Sequence, residues 1–330
     1  MRGNIERPNL ITGATLNNSG QTQFSKEFPM GEGWFAMFIT INIVLTVGTA
    51  SGATAEGELL FVKNVLLRTD RGEIICNLPG RALWKIAALK NGALPYKDAI
   101  AAASATYRVH LPIYFCDPEG GMKMQRPEDT VLDTSRYNSV SLQVTLGSTS
   151  DLFSSPGTSA VACTMDLEVE RTFGRLPGSR PGEGGKPIGH INYDIRPPVD
   201  ANTTQSIDIE RSAEMSLKRV YLHTGASGTG GVPWSGTNSD SRVATINIKD
   251  QSRFIEKDRL WHSIQYQNKL DSQLESVLSG VVYFNFCRDG SIASALATAD
   301  KSVLQMTWVN GTAAANNIAT LTQEAIRTLK

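Results

Sequence analysis

The sequence lacks net charge, and this absence excludes several classes of protein. Its 330 residues contain 32 Lys and Arg against 32 Asp and Glu. Only 19% of the residues are charged, below the roughly 25% that is typical of soluble domains. Because duplex binding depends mainly on basic residues that neutralise phosphates, this balance argues against a protein that coats nucleic acid. A hydrophobic content of 41% also excludes a disordered chain.

The sequence also lacks paired cysteines. Cys76, Cys116, Cys163 and Cys287 are far apart, with no CxxC pair among them. A zinc ribbon needs four ligands that converge on one tetrahedron, usually as two close pairs, so no such site is predicted. Cys116 and Cys287 lie in apolar segments, which predicts buried thiols that behave as small hydrophobic groups.

No apolar segment is long enough to cross a bilayer as a helix. The longest, Trp34–Val47, has 14 residues and includes Thr40, Asn42 and Thr46, whereas a spanning helix needs about 20. Its Ile, Val and Thr content predicts a strand instead. The polar N-terminal segment Met1–Leu10 does not resemble a signal peptide. We therefore expect a soluble protein, made in the cytoplasm with reduced thiols.

What the sequence does contain is β-strand periodicity. Most segments alternate between apolar and polar residues, or are β-branched, over four to eight residues bounded by turn formers. Three segments favour helices instead: Arg81–Lys90, the Ala-rich Lys97–Ala105, and Lys257–Leu270. The predicted fold class is therefore all-β with short helices in the connections. The clearest predicted strands are Met37–Val47, Tyr107–Phe115, Ser139–Leu146, Val161–Glu170, Ser206–Glu210, Lys218–His223, Val243–Ile248, Val281–Phe286 and Val303–Val309.

The two halves of the chain repeat one another weakly but in a constant order. Five short matches follow the same sequence in both halves, and the first two are separated by the same 177 residues. This order favours two copies of one β domain in tandem over a chance recurrence of strand-like peptides. The matches pair Leu45–Gly48 with Leu222–Gly225, Leu83-Trp84 with Leu260-Trp261, Phe115-Cys116 with Phe286-Cys287, Leu142–Thr145 with Leu304–Thr307, and Arg171–Phe173 with Arg327–Leu329.

A segment rich in Gly and Pro, residues 174–187, has the composition of a linker between the two copies. Each copy offers about eight strands with long connections, which suits a jelly roll better than an up-and-down barrel. We predict an N-terminal arm over residues 1–23, a first jelly roll over 24–173, and a second over 188–330. The arm is expected to order only on assembly.

Residues that could perform catalysis do not form a recognisable site. His110, His190, His223 and His262 are isolated, without the HxH spacing of a cupin metal site. The acidic group Glu128, Asp129 and Asp133 lies in a Pro-containing segment, where a solvated turn is the simpler interpretation than an acid–base pair.

Nucleophile and phosphate motifs are missing as well. The chain has no GxSxG, and Gly184-Gly185-Lys186 lacks the other residues of a Walker A loop. The segment Gly225–Gly231 does not open a helix after a strand, and Lys218-Arg219 is the only pair of adjacent basic residues. We predict no catalytic residues, no cofactor-binding residues, no metal ligands and no cofactor. The protein is therefore not expected to be an enzyme.

In its size, neutrality and duplication, the chain resembles the major capsid proteins of double jelly-roll viruses. These include adenovirus hexon and the coat proteins of tectiviruses, corticoviruses and finnlakeviruses. Leu111–Pro118 and Arg126–Gly147 resemble the late strands and intervening loop of the first jelly roll in the coat proteins of lipid-containing phages. Lys186–Asp194 and the Leu-Trp segment that follows are similar to parts of such a second jelly roll.

This resemblance implies a structural role in the virion. Three chains with two similar sandwiches each would form a pseudo-hexagonal homotrimer that tiles an icosahedral shell. The implied partners are further copies of the chain, neighbouring trimers, minor capsid and penton proteins, and an internal viral membrane. No direct, sequence-specific binding of nucleic acid is implied. The protein would be made in the host cytoplasm and reside in the capsid shell.

Two apolar insertions are candidates for burial between chains. These are Arg81–Ala105 and Lys257–Asp271, which are rich in apolar residues and each contain a Trp. The alternative is that each insertion covers the sheet edge of its own sandwich. The sequence leaves both interpretations open.

Two other classes of function also remain open. One is a β-sandwich that binds carbohydrate or a host receptor, as a spike or fibre subunit does, for which Trp234 is the most exposed-looking aromatic residue. The other is a double-jelly-roll enzyme of the glycoamidase type, which would need a carboxylate cleft.

Overall fold

A computed structural model gives the fold, and it consists of two compact units. The first unit ends at Gly189 and the second begins at His190. The structure describes residues 5–18, 20–26, 32–116, 131–134, 137–173, 188–195, 204–212, 215–226, 243–287, 294–299, 301, 303–310 and 317–327. The predicted linker, residues 174–187, lies outside the described residues.

The first unit is built from strands with three short helices between them. Its helices are α1 (Gly57–Phe61), α2 (Gly80–Asn91) and α3 (Thr149–Leu152). Its strands are β1 (Ile5–Glu6), β2 (Asn9–Leu16), β3 (Gln21–Lys26), β4 (Glu32–Thr46), β5 (Ser51–Ala53), β6 (Val62–Thr69), β7 (Ile74–Leu78), β8 (Thr106–Tyr114), β9 (Leu132–Asp133), β10 (Val140–Leu146), β11 (Phe153–Ser155) and β12 (Ala160–Phe173).

The strand order of the first unit is that of a jelly roll. In one sheet β12 pairs with both β1 and β2 on one side and with β4 on the other, and β4 pairs in turn with β8. The other sheet has the order β7-β6-β10-β3. Of the eight main strands, the first and last are therefore neighbours in one sheet, and the second and seventh are neighbours in the other. This is the topology of an eight-stranded jelly roll.

The alternation seen in the sequence places one face of each sheet in the core. Ile41 lies between Met165 and Val109 on adjacent strands, and none of the three side chains is accessible to solvent. In the other sheet Leu142 lies opposite Leu67, and both are equally buried. Burial of each such side chain contributes about 1.5–3 kcal/mol relative to its exposure.

The second unit repeats this plan with nine strands and one longer helix among the described residues. Its elements are β13 (Ile188–Ile195), β14 (Thr204–Asp208), β15 (Met215–Ala226), β16 (Val243–Asp250), β17 (Arg253–Leu260), α4 (Trp261–Asp271), β18 (Val281–Asn285), β19 (Leu296–Ala297), β20 (Leu304–Asn310) and β21 (Asn317–Arg327).

The second unit has the same strand order as the first. One sheet has the order β18-β15-β21-β13, with β19 also on β15, and the other has the order β14-β20-β16-β17. Its core includes Leu222 opposite Leu321, and Ile246 opposite Trp308. The all-β prediction and the two tandem eight-stranded jelly rolls are confirmed.

The internal repeat falls on equivalent elements of the two jelly rolls. The first match lies at the end of β4 and near the end of β15, each the third main strand of its unit. The Leu-Trp match lies in α2 and at the start of α4, and the Phe-Cys match directly follows β8 and β18. The remaining two matches lie in β10 and β20, and at the ends of β12 and β21. The order of the matches therefore reflects a shared topology.

Two of the predicted helices need correction. The helix over Arg81–Lys90 is confirmed as α2, but Lys97–Ala105 is not helical. Its backbone instead pairs with β8 through a bridge from Lys97 to Val109, and these tertiary contacts override the helix propensity of the alanines. The helix predicted over Lys257–Leu270 begins only at Trp261, because the residues before it complete β17.

The N-terminal arm also needs correction. Strands β1, β2 and the first residues of β3 lie within residues 1–23, and both β1 and β2 pair with β12. Since β2 is mostly exposed or half-buried, its apolar periodicity is weak and the sequence did not reveal the strand. A deletion of residues 1–20 would therefore remove part of the first jelly roll rather than a separate arm.

The C-terminal end of α2 depends on a glycine. Gly92 has a φ of 69°, in the left-handed region, and its N–H donates to the Ala88 carbonyl. We expect Gly92→Ala to lower the free energy of unfolding of the first jelly roll by about 1–2 kcal/mol, because a Cβ disfavours this conformation. Gly92→Asn should cost less, since Asn tolerates this region best after Gly. Urea denaturation would measure both, and equal stability of the Ala variant and the parent would contradict the prediction.

Candidate assembly surfaces

The histidines occupy unrelated environments. His110 on β8 is half-buried, with its Nδ1 3.2 Å from the Thr40 hydroxyl, and burial lowers its pKa. His223 on β15 is buried, whereas His262 on α4 is exposed. The side chain of His190 lies outside the described residues. Among the residues that the structure describes, no group of three or more His, Cys, Asp or Glu could hold a metal ion.

All four cysteines are buried and free, as their apolar surroundings predicted for Cys116 and Cys287. Burial raises the pKa of both Cys76 and Cys163 to about 12. At neutral pH these two thiols are therefore protonated, and they act as core hydrophobic groups rather than as nucleophiles.

Several other segments with acidic, glycine-rich or aromatic residues of interest lie outside the described residues. These are Glu128 and Asp129, Gly184–Lys186, and Trp234. Of the segment that begins at Gly225, only its first two residues are described, at the end of β15. Asp133 lies in β9, where it pairs with Gly33 of β4.

The basic pair Lys218-Arg219 belongs to a buried ionic cluster in the second jelly roll. Glu324 on β21 is 3% exposed, and it lies 3.8 Å from the Lys218 ammonium and 3.4 Å from the Arg219 guanidinium. The Tyr221 hydroxyl also donates to this carboxylate, at 2.9 Å. Lys218 is itself buried and faces Glu324 within the sheet. Its ammonium group is therefore not accessible to the phosphates of a nucleic acid.

Buried charges of the first jelly roll are also paired. Arg81 on α2 is buried, and its Nε donates to the Glu56 carboxylate at 2.7 Å. Lys97 forms an ion pair with Glu58 of α1. At the start of β4, Glu32 accepts a hydrogen bond from the Arg171 guanidinium at 2.6 Å. These pairs join neighbouring elements, and each satisfies a charge that would otherwise be costly to bury.

The first insertion covers a sheet edge of its own jelly roll. The Asp98 N–H donates to the Arg108 carbonyl at 2.9 Å, and the His110 N–H donates to the Tyr96 carbonyl at 3.0 Å. The segment Tyr96–Asp98 thus pairs with the edge strand β8. Apart from Asn91 at its end, α2 is buried along its whole length. For this insertion the structure favours edge protection over an interface.

The second insertion also covers an edge, but through a side chain. The Asn268 amide of α4 donates to the Tyr283 carbonyl and accepts from the Tyr283 N–H, both at 2.8 Å. The Asn268 side chain therefore takes the place of a neighbouring strand at this residue of β18. The opposite side of α4 has no such role, because only Trp261, Ile264, Gln265 and Asn268 of the helix are buried.

Exposed apolar side chains fall in two places. Among the large apolar residues that the structure describes, five are more than half exposed. We call Leu260, Tyr266 and Leu270 the helix face; Tyr266 and Leu270 lie on α4, and Leu260 is the last residue of β17. We call Leu94 and Tyr96 the loop patch, which follows α2 in the corresponding connection of the first jelly roll. Clusters of this kind often mark interaction sites.

A shallow groove lies beside α4 on the second jelly roll. Its volume is about 250 Å³, and its lining includes Arg259, Gln267, Asp271 and Asn285. This is smaller than the roughly 300–1,000 Å³ of typical small-molecule sites, and its walls mix these polar residues with Ile264 and Phe284. The groove gives no basis for a small-molecule function.

Within the described part of the chain, no helix is long and apolar enough to cross a membrane.

Comparison by sequence finds no family model and no curated protein that matches the chain. Solved structures, in contrast, match it over nearly its whole length. The major capsid protein of Sulfolobus Turreted Icosahedral Virus matches with a TM-score of 0.73 and 11% identity, over 99% of this chain and 97% of that one.

Two further solved structures also match nearly the whole chain. The major capsid protein P2 of bacteriophage PM2 matches with a TM-score of 0.62 and 11% identity, over 99% of this chain and 98% of that one. A chain of the PBCV-1 virus capsid matches with a TM-score of 0.63 and 13% identity, over 99% and 96%. The chain therefore has the double jelly-roll fold that is found in these capsid proteins.

Proposed function

We propose that this protein is a major capsid protein, a structural coat protein of an icosahedral virus. The observation that carries the proposal is the match of the whole chain, both jelly rolls in tandem, to capsid proteins from several viruses. A match to one jelly roll alone would fit many functions, because that fold also occurs in lectins and cupins. The tandem arrangement over 99% of the chain is far more restrictive.

The proposed partner of the chain is itself. Three copies with two similar jelly rolls each would present six similar lobes, so that a trimer tiles as a pseudo-hexagon. Closure of such a ring requires a head-to-tail interface, in which one surface of a chain contacts a different surface of its neighbour. The lack of net charge supports dense packing, because it removes the self-repulsion that keeps proteins apart in solution.

Further contacts follow from the same proposal. Neighbouring trimers would contact one another in the shell, and minor capsid and penton proteins would complete it. The inner surface would lie near an internal viral membrane, which would separate the neutral shell from nucleic acid. The protein would be located in the virion after its synthesis in the host cytoplasm. This role requires no catalysis, cofactor or metal.

Solution mass and electron microscopy at rising protein concentration test this function. We expect a stable species of about 107 kDa, three times the 35.8 kDa of one chain, that grows into sheets or shells. A protein that stays monomeric at every concentration would contradict the proposal. Binding of such a monomer to a glycan array would instead favour the receptor-binding alternative.

A further inference from the structure

One end of the second jelly roll carries basic side chains around an exposed aromatic ring. Phe254, the second residue of β17, is 40% exposed. The ammonium groups of Lys249 and Lys257 lie 4.8 Å and 5.3 Å from the centre of its ring. Arg253 precedes the ring and is exposed, and Val303, just before β20, is 44% exposed. We call these five residues the basic tip.

The hairpin between β16 and β17 holds the basic tip at the end of the unit. Asp250 of β16 pairs with Arg253 of β17, so the turn consists only of Gln251 and Ser252. The Gln251 N–H donates to the Val303 carbonyl at 2.9 Å, which fixes the turn beside the start of β20. The helix α4 follows the other end of β17. The basic tip therefore lies on a terminal surface of the jelly roll, at the opposite end of β17 from α4.

The three cations of the basic tip form no ion pair within the part of the chain that the structure describes. The nearby carboxylates have other partners: Asp250 pairs with Lys301 at 3.4 Å, and Glu256 pairs with Arg259 at 2.8 Å. Asp258 is exposed, but it lies four residues beyond the ring along β17. The tip thus carries a local excess of positive charge, although the chain as a whole is neutral.

This combination of side chains fits a surface of anionic lipid. Basic residues near such a surface are attracted to its headgroups, and exposed apolar side chains are buried at the boundary between headgroups and acyl chains. The long stems of lysine allow the ammonium groups to stay among the headgroups while the ring lies deeper. A nucleic acid would match the cations and would stack a base on the ring, but it offers no apolar phase for Val303. The observations therefore favour lipid.

We propose that the basic tip is the site at which the shell contacts an anionic lipid surface. The side chains of Phe254 and Val303 enter the boundary between headgroups and acyl chains, and the three cations bind lipid phosphates around them. This inference rests on the proposed function, since it assigns the membrane contact of a coat protein to particular residues. One tip carries few charges, so a single contact is weak. A lattice of many copies binds the same surface through many tips at once, which makes the combined contact strong.

Flotation of the full-length protein with lipid vesicles tests this contact. The tip variant carries Lys249→Ser, Phe254→Ser and Lys257→Ser. We expect the parent to bind vesicles made of equal parts phosphatidylglycerol and phosphatidylcholine, and to bind vesicles of phosphatidylcholine alone about tenfold more weakly or less. The tip variant should lose about tenfold or more of the affinity for the anionic vesicles, because each cation near a charged membrane contributes about a factor of five.

The matched control carries Arg71→Ser, Tyr266→Ser and Lys269→Ser, which also removes two cations and one exposed ring. This control should bind the anionic vesicles as the parent does. Circular dichroism and thermal melting establish that all variants are folded. An equal loss of binding in the control would show attraction by overall charge and would overturn the assignment to the tip.

The remaining outcomes separate this contact from the coat function. A parent that assembles but does not bind the anionic vesicles, or a tip variant that binds them as the parent does, would overturn the lipid contact and leave the coat function intact. Binding of an oligonucleotide in place of the vesicles, lost in the tip variant, would overturn it in favour of nucleic acid. A parent that never assembles, measured by its solution mass, would count against the coat function itself.

Discussion

Replacement of Glu324 by alanine is expected to lower the free energy of unfolding of the second jelly roll by about 3–5 kcal/mol. The Glu324 carboxylate is buried, and it faces both the buried Lys218 and the Arg219 guanidinium. Removal of the carboxylate would leave the Lys218 ammonium deprived of its acidic neighbour in a site that water reaches poorly. The Tyr221 hydroxyl would lose an acceptor at the same time. Both losses penalise the folded state because the same groups are hydrated in the unfolded chain.

Chemical denaturation, followed by a probe assigned to the second jelly roll, measures this loss. The matched control is Glu256→Ala, which removes a carboxylate from the more exposed pair with Arg259 in the same unit. That variant should lower the free energy of unfolding by about 1 kcal/mol or less. Similar losses in both variants would show that the cluster around Glu324 is accessible to water, contrary to its burial in the structure.

Replacement of Trp308 by alanine is expected to have an effect of similar size, about 3–5 kcal/mol. The Trp308 side chain is 1% exposed in the core of the second jelly roll, opposite Ile246. Its indole N–H donates to the Asn310 side chain at 2.9 Å. Truncation to alanine leaves a cavity that this close-packed core can fill only in part, so the lost contacts are not recovered.

Denaturation of two variants of Trp308 separates packing from hydrogen bonding. Trp308→Phe keeps an aromatic ring but lacks the N–H, so it should cost less than Trp308→Ala. The control Leu260→Ala truncates a side chain that is 60% exposed in the same unit, and it should change the free energy of unfolding by no more than about 0.5 kcal/mol. If Leu260→Ala and Trp308→Ala lowered the free energy of unfolding of the isolated chain equally, this assignment of the core would be contradicted.

Much of the fold was predictable from the sequence because buried strands carry a strong local signal. The alternation in β10, where Val140, Leu142 and Val144 are buried and the residues between them are half-buried, is an example. The internal repeat also indicated the topology, because it predicted that the second half of the chain has the same order of strands as the first. Its matches lie on equivalent elements, since duplicated domains retain similar residues where the same packing must be satisfied twice.

Strands with little burial were not predictable in the same way. In β17 all eight side chains are exposed or half-buried, and the segment reads Arg-Phe-Ile-Glu-Lys-Asp-Arg-Leu without apolar alternation. Its strand conformation comes from pairing with β16, which lies on the other side of a tight turn. The segment Lys97–Ala105 shows the opposite error, because its local preference for a helix is outweighed by pairing with β8.

The candidate surfaces could not be predicted from the sequence, for a related reason. Both insertions looked alike in the sequence, as apolar segments that contain a Trp. Only the three-dimensional contacts separate α2, which is buried almost throughout, from α4, which is buried on one side. Likewise the ionic cluster around Glu324 joins residues that are more than 100 positions apart. Their contact depends on the register between β15 and β21, which neither segment of the sequence predicts by itself.

The central place of β12 in its sheet has a consequence for synthesis on the ribosome. Its residue Cys163 pairs with Leu16 on one side and with Ile43 on the other, so this sheet closes only after the strand has been made. Until then the edges of β2 and β4 that β12 will occupy are unpaired. Chains elongate at about 5–20 residues per second, so this vulnerable interval lasts for many seconds. Pairing between such distant strands is also intrinsically slow. Nascent copies on one polysome are therefore at risk of strand exchange, and chaperone binding before the completion of β12 would protect them.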